Sequence, residues 1–171
     1  MVLYEELAWE FQKQKVKYVI VGGIAVNLLG YMRSTADMDI LVEMSNENLA
    51  KIVTILKNEG YRVKQPVEPM DVAVKEIRED WIKNKNMKAF NFYKEDELKE
   101  VDIIIKSPVS FEKASKTAIP MKINDTIFPV ISIDNLIKMK KAAGRDVDDV
   151  DLKRLTKIKK LRERHGLSRG N

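Results

Sequence analysis

The apolar positions of this chain change period as they run, and each change marks a predicted element. Val19, Ile20 and Val21 form an apolar run that stops at Gly22-Gly23, and Ile24 to Tyr31 is mostly apolar, as a buried helix would be. Further on, Asp37 and Asp39 alternate with Met38 and Ile40. Side chains i and i+2 of a strand share a face, so Met38 and Ile40 would enter a core while both aspartates point the other way. Residues 18–43 thus read as strand, glycine turn, short helix, strand, and the rest of the chain is organised around them.

Leu3, Leu7 and Phe11 recur every four residues beside Ala8, which predicts an amphipathic helix over 2–14. Leu49, Ile52, Val53 and Leu56 follow a candidate cap at Ser45 and end before Gly60, the clearest helical pattern in the chain. Tyr61 to Val63 predicts a short strand, and Pro66 and Pro69 a loop. Residues 70–84 give a ragged helical pattern with Val72, Val74, Ile77 and Trp81 inward. Residues 87–105 read as a hairpin around the charged turn Lys94-Glu95-Asp96-Glu97. Phe111 to Ala118 suits a helix, and two short strands follow at 121–123 and 127–131, the second demoted to a sheet edge by Pro129. Two helices close the chain: Leu136 to Ala143, stopped at Gly144, and roughly 146–164, with Val147, Leu152, Leu155, Ile158 and Leu161 as its stripe. The fold class expected is α/β (α+β), a mixed twisted sheet with flanking helices in a single domain over 1–171.

Composition narrows the chemistry. With 171 residues and 44% hydrophobic content, one core is expected. Cysteine is absent, which excludes disulfides, thiolate catalysis and Cys-based zinc sites, and with His165 the sole histidine carboxylates are left to do most of any metal chemistry. The acids near the start and the glycines and Asn27 within 18–32 argue against a signal peptide or a membrane span, so a soluble cytoplasmic protein with no membrane contact is expected. Residues 153–171 carry eight Lys or Arg against the one acid Glu163, so the net charge of +5 sits in a basic tail. That tail is either a solvated helix face or a contact for nucleic acid or an acidic partner.

Asp37 and Asp39 lie about 7 Å apart at their Cα atoms on one strand face, where they repel and where aspartate is disfavoured. A bound metal would relieve the repulsion. Asp102, in Glu100-Val101-Asp102-Ile103-Ile104-Ile105, puts a third acid into a strand's apolar end. Burial there without a partner would cost several kcal/mol, and a shared metal or a salt bridge is the remedy.

Val21-Gly22-Gly23, then Asp37-Met38-Asp39-Ile40, then Asp102 on a later strand resembles the nucleotidyltransferase superfamily with its DNA polymerase beta-like fold. Within it, the chain resembles the small AbiEii-type and minimal nucleotidyltransferase antitoxin branch. That likeness rests on Arg33-Ser34-Thr35-Ala36-Asp37, Asp134-Asn135-Leu136-Ile137, Lys140, Ala142-Ala143-Gly144-Arg145, Asp148 and Asp151. It covers residues 17–155 and leaves 65–86 unmatched. Gly23 stands where many members have serine.

The resemblance implies Mg²⁺-dependent transfer of a nucleoside monophosphate from an NTP to an acceptor hydroxyl. Asp37, Asp39 and Asp102 would be the catalytic and metal residues, around two Mg²⁺ ions. Gly22 and Gly23 would face the phosphates, Arg33 and Lys140 would neutralise them, and Thr35 would orient Asp37. Arg145, Asp148 and Asp151 fit a network pinning the last helix at least as well as a site. The branch resemblance implies the rival reading, a partner-binding half of a toxin–antitoxin or abortive-infection pair. Its partner would be a HEPN-like protein or an RNA acceptor. Acceptor specificity is expected in residues 65–86 and in loops.

Overall fold

The structure is a computed structural model and describes residues 4–166. Val2 and Leu3 of the predicted first helix and residues 167–171 of the basic tail lie outside the described residues.

The elements run α1 (Glu5–Lys13), β1 (Tyr18–Ile20), α2 (Gly22–Leu28), β2 (Asp37–Val42), α3 (Asn46–Asn58) and β3 (Arg62–Val63). A 3-10 turn at Pro69–Ala73 leads to α4 (Lys75–Asn84), then β4 (Ala89–Lys94) and β5 (Lys99–Ile104). α5 (Phe111–Lys116), β6 (Ile119–Ile123), β7 (Thr126–Val130), α6 (Ile133–Ala143) and α7 (Asp146–Arg164) complete the chain. Side-chain caps start three of the helices, with Ser45, Ser110 and Ser132 accepting from the backbone N–H groups of Asn48, Lys113 and Asn135. Gly144 ends α6 in the left-handed region at φ 62°.

The seven strands among the described residues form one mixed sheet in the order β3-β4-β5-β2-β1-β7-β6. β2 pairs antiparallel with β1 and parallel with β5, and β4 and β5 form the predicted hairpin. The strands bearing the acids, β2 and β5, are interior. β7, expected at an edge, is interior too, between β1 and β6. Its proline is tolerated because Pro129 faces Pro120 of β6 and the pairing with β1 is confined to Val130. No ladder hydrogen bond is asked of the missing N–H.

Pairing register sorts the central strands into two faces. Met38 and Ile40 of β2, Val101 and Ile103 of β5, and Phe90 and Phe92 of β4 align on one face and are fully buried. Phe11 of α1 packs edge-on against Tyr18, and Trp81 of α4 stacks on Phe90 with ring centroids 5.4 Å apart, so α1 and α4 cover that face. The ragged 69–84 segment is held there as well. Arg78 is buried and donates to the carbonyls of Val72 (2.6 Å) and Met44 (2.8 Å). The trunk of the segment therefore packs on the face away from the acids, and Val74, predicted inward, is exposed.

α2, α6 and α7 lie over the other face. The predicted stripe of α7 is only partly buried: Leu155 is covered, while Val147 and Leu161 are exposed. Asp148 and Asp151 take the inward positions instead, both with no exposed surface.

Candidate active site

The site grows from the pairing of two similar tetrapeptides. Asp37-Met38-Asp39-Ile40 lies beside Glu100-Val101-Asp102-Ile103 in parallel register, with Asp37 opposite Glu100 and Asp39 opposite Asp102. Four carboxylates thereby share one patch. Three were singled out from the sequence. Glu100 was missed, although its i, i+2 spacing to Asp102 repeats that of Asp37 to Asp39.

A buried phenol closes the end of this ladder. The Tyr4 hydroxyl lies between the carbonyls of Ala36 and Glu100 and accepts from the Glu100 N–H at 2.9 Å. Burial, against its bond to Glu100, pushes the phenol up to about 12, so it stays protonated and keeps its donor.

Gly22 makes room for Asp39. It opens α2 in the left-handed region at φ 63°, and a Cβ there would fall 1.8 Å from Asp39 Oδ2. The two glycines lie inside the first turn of α2 rather than ahead of a helix at Ile24, because Val21 is the N-cap. Gly23 is crowded from the other side: a Cβ would meet Thr35 Oγ1 at 2.4 Å and Arg33 Nη2 at 2.6 Å. Asn27 holds that loop, exchanging two 2.9 Å hydrogen bonds with the Arg33 backbone.

Three of the four acids have no ion-pair partner among the described residues. Among the described residues no Lys or Arg forms an ion pair with Asp37, Asp39 or Asp102, whereas Glu100 pairs with Lys64 at 2.5 Å. Burial, with Asp102 and Asp37 adding repulsion, pushes Asp39 up to about 6. Burial raises Asp102 as well, and the hydrogen bond from Asn91 Nδ2 (2.7 Å) opposes it. Among the described residues no three acidic, imidazole or thiolate groups converge closely enough to hold a metal ion as they stand. The donor set nevertheless fits a hard divalent ion: carboxylate oxygens only, none of the three paired to a Lys or Arg, with Asp39 and Asp102 half-buried and the glycine cradle beside Asp39.

A cavity of about 720 Å³ opens from Gly22 and Asp39, within the range of small-molecule sites. Its walls are apolar at Ile104, Pro108, Leu136 and Met139 and cationic at Lys88, Lys106, Lys140 and Arg145. The predicted cations take different places. Lys140 is buried and spent, 2.9 Å from Asp148 and 2.7 Å from Asp151. Arg33 Nε is 3.2 Å from Asp151 Oδ1, and Arg145 Nε is 2.8 Å from Asp148. Neither Asp151 oxygen has well-aligned hydrogen-bond geometry, so its contacts are ionic. This is the network that pins α7. Lys88 and Lys106 are exposed and form no ion pair among the described residues. Nothing in the sequence distinguished them, because only pairing of β4 with β5 brings their ends together.

Residues 5–155 match the pattern of the aminoglycoside-2''-adenylyltransferases. The chain belongs to that family. It is accordingly an NTP-dependent nucleotidyltransferase. Solved structures show the same fold. The lincosamide antibiotic adenylyltransferase LnuA, lincomycin-bound, is 19% identical over 90% of this chain and 94% of its own, with a TM-score of 0.60. ANT(2'')-Ia in complex with adenylyl-2''-tobramycin is 16% identical over 94% and 92%, with a TM-score of 0.55. An antigenic nucleotidyltransferase-like protein from Paracoccidioides brasiliensis is 16% identical over 92% and 73%, with a TM-score of 0.55. No curated protein sequence matches significantly. The superfamily expected from the motifs stands, and these matches carry no support for the AbiEii-type branch. No helix among the described residues is long and apolar enough to cross a membrane.

Proposed function

We propose that this adenylyltransferase-family protein moves AMP from ATP to a hydroxyl of a small antibiotic-like acceptor, at the acid patch beside Gly22. The observation that carries the reading is the register of β2 against β5, which aligns Asp37 and Asp39 with Glu100 and Asp102 next to a cavity of nucleotide size. Asp37, Asp39 and Asp102 would hold Mg²⁺, which neutralises phosphate charge and activates the attacking oxygen when bound.

The chain's own residues supply the rest. The N–H groups at the start of α2 face the phosphates, as Gly22 and Gly23 permit. Lys88, Lys106 and the exposed side of Arg145 offer cations for the triphosphate, in place of the neutralised Lys140 and Arg33. Leu136, Met139, Ile104 and Pro108 form an apolar wall for the base. Asp102 takes the acceptor hydroxyl's proton, the acceptor oxygen bonds to the α-phosphorus, and the bond to the leaving pyrophosphate breaks.

The test is incubation with ATP and MgCl₂ and, in turn, tobramycin or lincomycin, read by mass spectrometry. An adenylylated product made by the wild type and lost in Asp39→Asn supports the reading. Equal product from wild type and Asp39→Asn sinks it. The paired-module reading has no comparable observation in its favour.

A further inference from the structure

The acids of β5 are held from behind by a two-residue strap. β3 ends at Val63, and the chain continues along β4, with the Lys64 N–H bonded to the Asn91 carbonyl at 2.9 Å. That places Lys64 and Gln65 on the acid side of the hairpin. Lys64 Nζ pairs with Glu100 at 2.5 Å. Gln65 and Asn91 exchange two hydrogen bonds: Gln65 Nε2 donates to Asn91 Oδ1 at 2.6 Å, and the Asn91 N–H donates to Gln65 Oε1 at 3.2 Å. The exchange fixes which way the Asn91 carboxamide points. With its oxygen engaged by Gln65, its Nδ2 is directed at Asp102 Oδ1, 2.7 Å away.

We infer that Asn91 is a positioning residue for Asp102, itself oriented by Gln65, and that the pair leaves Asp102 Oδ2 as the oxygen available to cation or acceptor. The assignment rests on the reading of Asp102 as part of the active site. A free carboxylate on a strand rotates about its last torsion, which is broad and roughly two-fold. A donor at one oxygen removes that freedom. Groups in such second layers change metal affinity or activity by about 10–100-fold when lost. Gln65 reaches Asp102 only through Asn91. Its effect must therefore vanish once Asn91 is gone, which a residue acting through packing would not show.

The experiment compares Asn91→Ala, Gln65→Ala and the double variant with wild type in three readouts. These are thermal melting, kcat and KM for ATP with tobramycin or lincomycin as acceptor, and Mn²⁺ affinity by electron paramagnetic resonance with a non-hydrolysable ATP analogue. In folded Asn91→Ala, kcat and Mn²⁺ affinity fall about 10–100-fold, with KM for ATP within about twofold. Gln65→Ala gives a smaller loss of the same kind, and the double variant matches Asn91→Ala. Unchanged Mn²⁺ affinity in folded Asn91→Ala, or losses that multiply in the double variant, would overturn the inference. Asp39→Asn runs alongside to separate the two readings. If it keeps full transfer, the active-site reading fails. If it loses transfer while Asn91→Ala keeps both transfer and Mn²⁺ affinity, only the strap assignment fails.

Discussion

Two clusters of aspartates lie on the same side of this sheet and have opposite electrostatics. Asp148 and Asp151 face inward from α7 and meet Lys140, Arg145 and Arg33. Burial of Asp148 alone would raise its carboxyl, but the hydrogen bonds from Arg145 and Lys140 outweigh it and hold the group at about 2. Asp39 is also desolvated, yet its close neighbours are carboxylates, and it rises to about 6. A cluster that carries its own cations is part of the fold. A cluster that lacks them has room for a cation from outside, and its charge is available to a substrate complex.

The comparison breaks if the two clusters respond alike to substitution. The largest effect expected is on transfer: Asp39→Asn should lower adenylyl transfer by about a hundred- to a thousandfold, the scale at which removal of fixed transition-state charge stabilisation is felt. Its melting temperature should stay the same or rise, because a half-buried charge without an ion-pair partner has been removed. Asp151→Ala should do the reverse. It leaves Lys140 buried with half its partners and should cost about 3–5 kcal/mol in denaturant unfolding, with transfer lost only as the fold is lost. A variant of either cluster that failed the opposite test would erase the distinction.

Gly22→Ala is the next sharpest probe. The added methyl enters the position of the Asp39 carboxylate, on a backbone already in the left-handed region. A displacement of that carboxylate by about 1 Å is worth about a hundredfold in rate. The strained φ adds about 1–2 kcal/mol of destabilisation, readable by thermal melting. Gly144→Ala shares the positive φ but has open space around it, so it should show the strain without the loss of transfer.

The pH response follows from Asp148. Its folded-state pKa lies below the ordinary aspartate value, so its stabilisation is present above about pH 4 and is lost as pH falls toward 2. It amounts to about 2 kcal/mol. Chemical denaturation between pH 5 and 2 should show this loss, and Asp148→Asn should flatten it. The smallest effect belongs to the other cluster. MgCl₂ should raise the melting temperature of wild type at neutral pH by the amount that binding to the folded state alone allows, and should leave Asp39→Asn unmoved.

Much of the fold was legible because period and register are local. The helix over Leu49 to Leu56, the hairpin of 87–105 and the paired faces of Asp37-Met38-Asp39-Ile40 follow from spacing alone. The errors have physical causes. Pro129 was read as an edge signal, but the facing Pro120 and the shortness of β1 leave no hydrogen bond for its absent N–H to miss. The α7 stripe was drawn through apolar residues, whereas Lys140 draws the aspartates inward. Of residues 65–86, where acceptor specificity is expected, the stretch from 69 to 84 packs on the face away from the acids through Trp81 and Arg78.

The sequence by itself determined which chemistry was open to this protein. Without cysteine and with His165 as the sole histidine, carboxylates were left to do most of any metal chemistry, and the resemblance carried by Gly22-Gly23, Asp37-Met38-Asp39 and Asp102 pointed them to nucleotidyl transfer. The tertiary structure decided which charges are free. A lysine's place in a sequence does not reveal its partner, because ion pairing is settled by packing between distant elements. Only the docking of α7 on α6 showed Lys140 to be neutralised. Only the pairing of β5 with β2 added Glu100 to the patch, and only the return of the chain along β4 brought Gln65 and Asn91 behind Asp102.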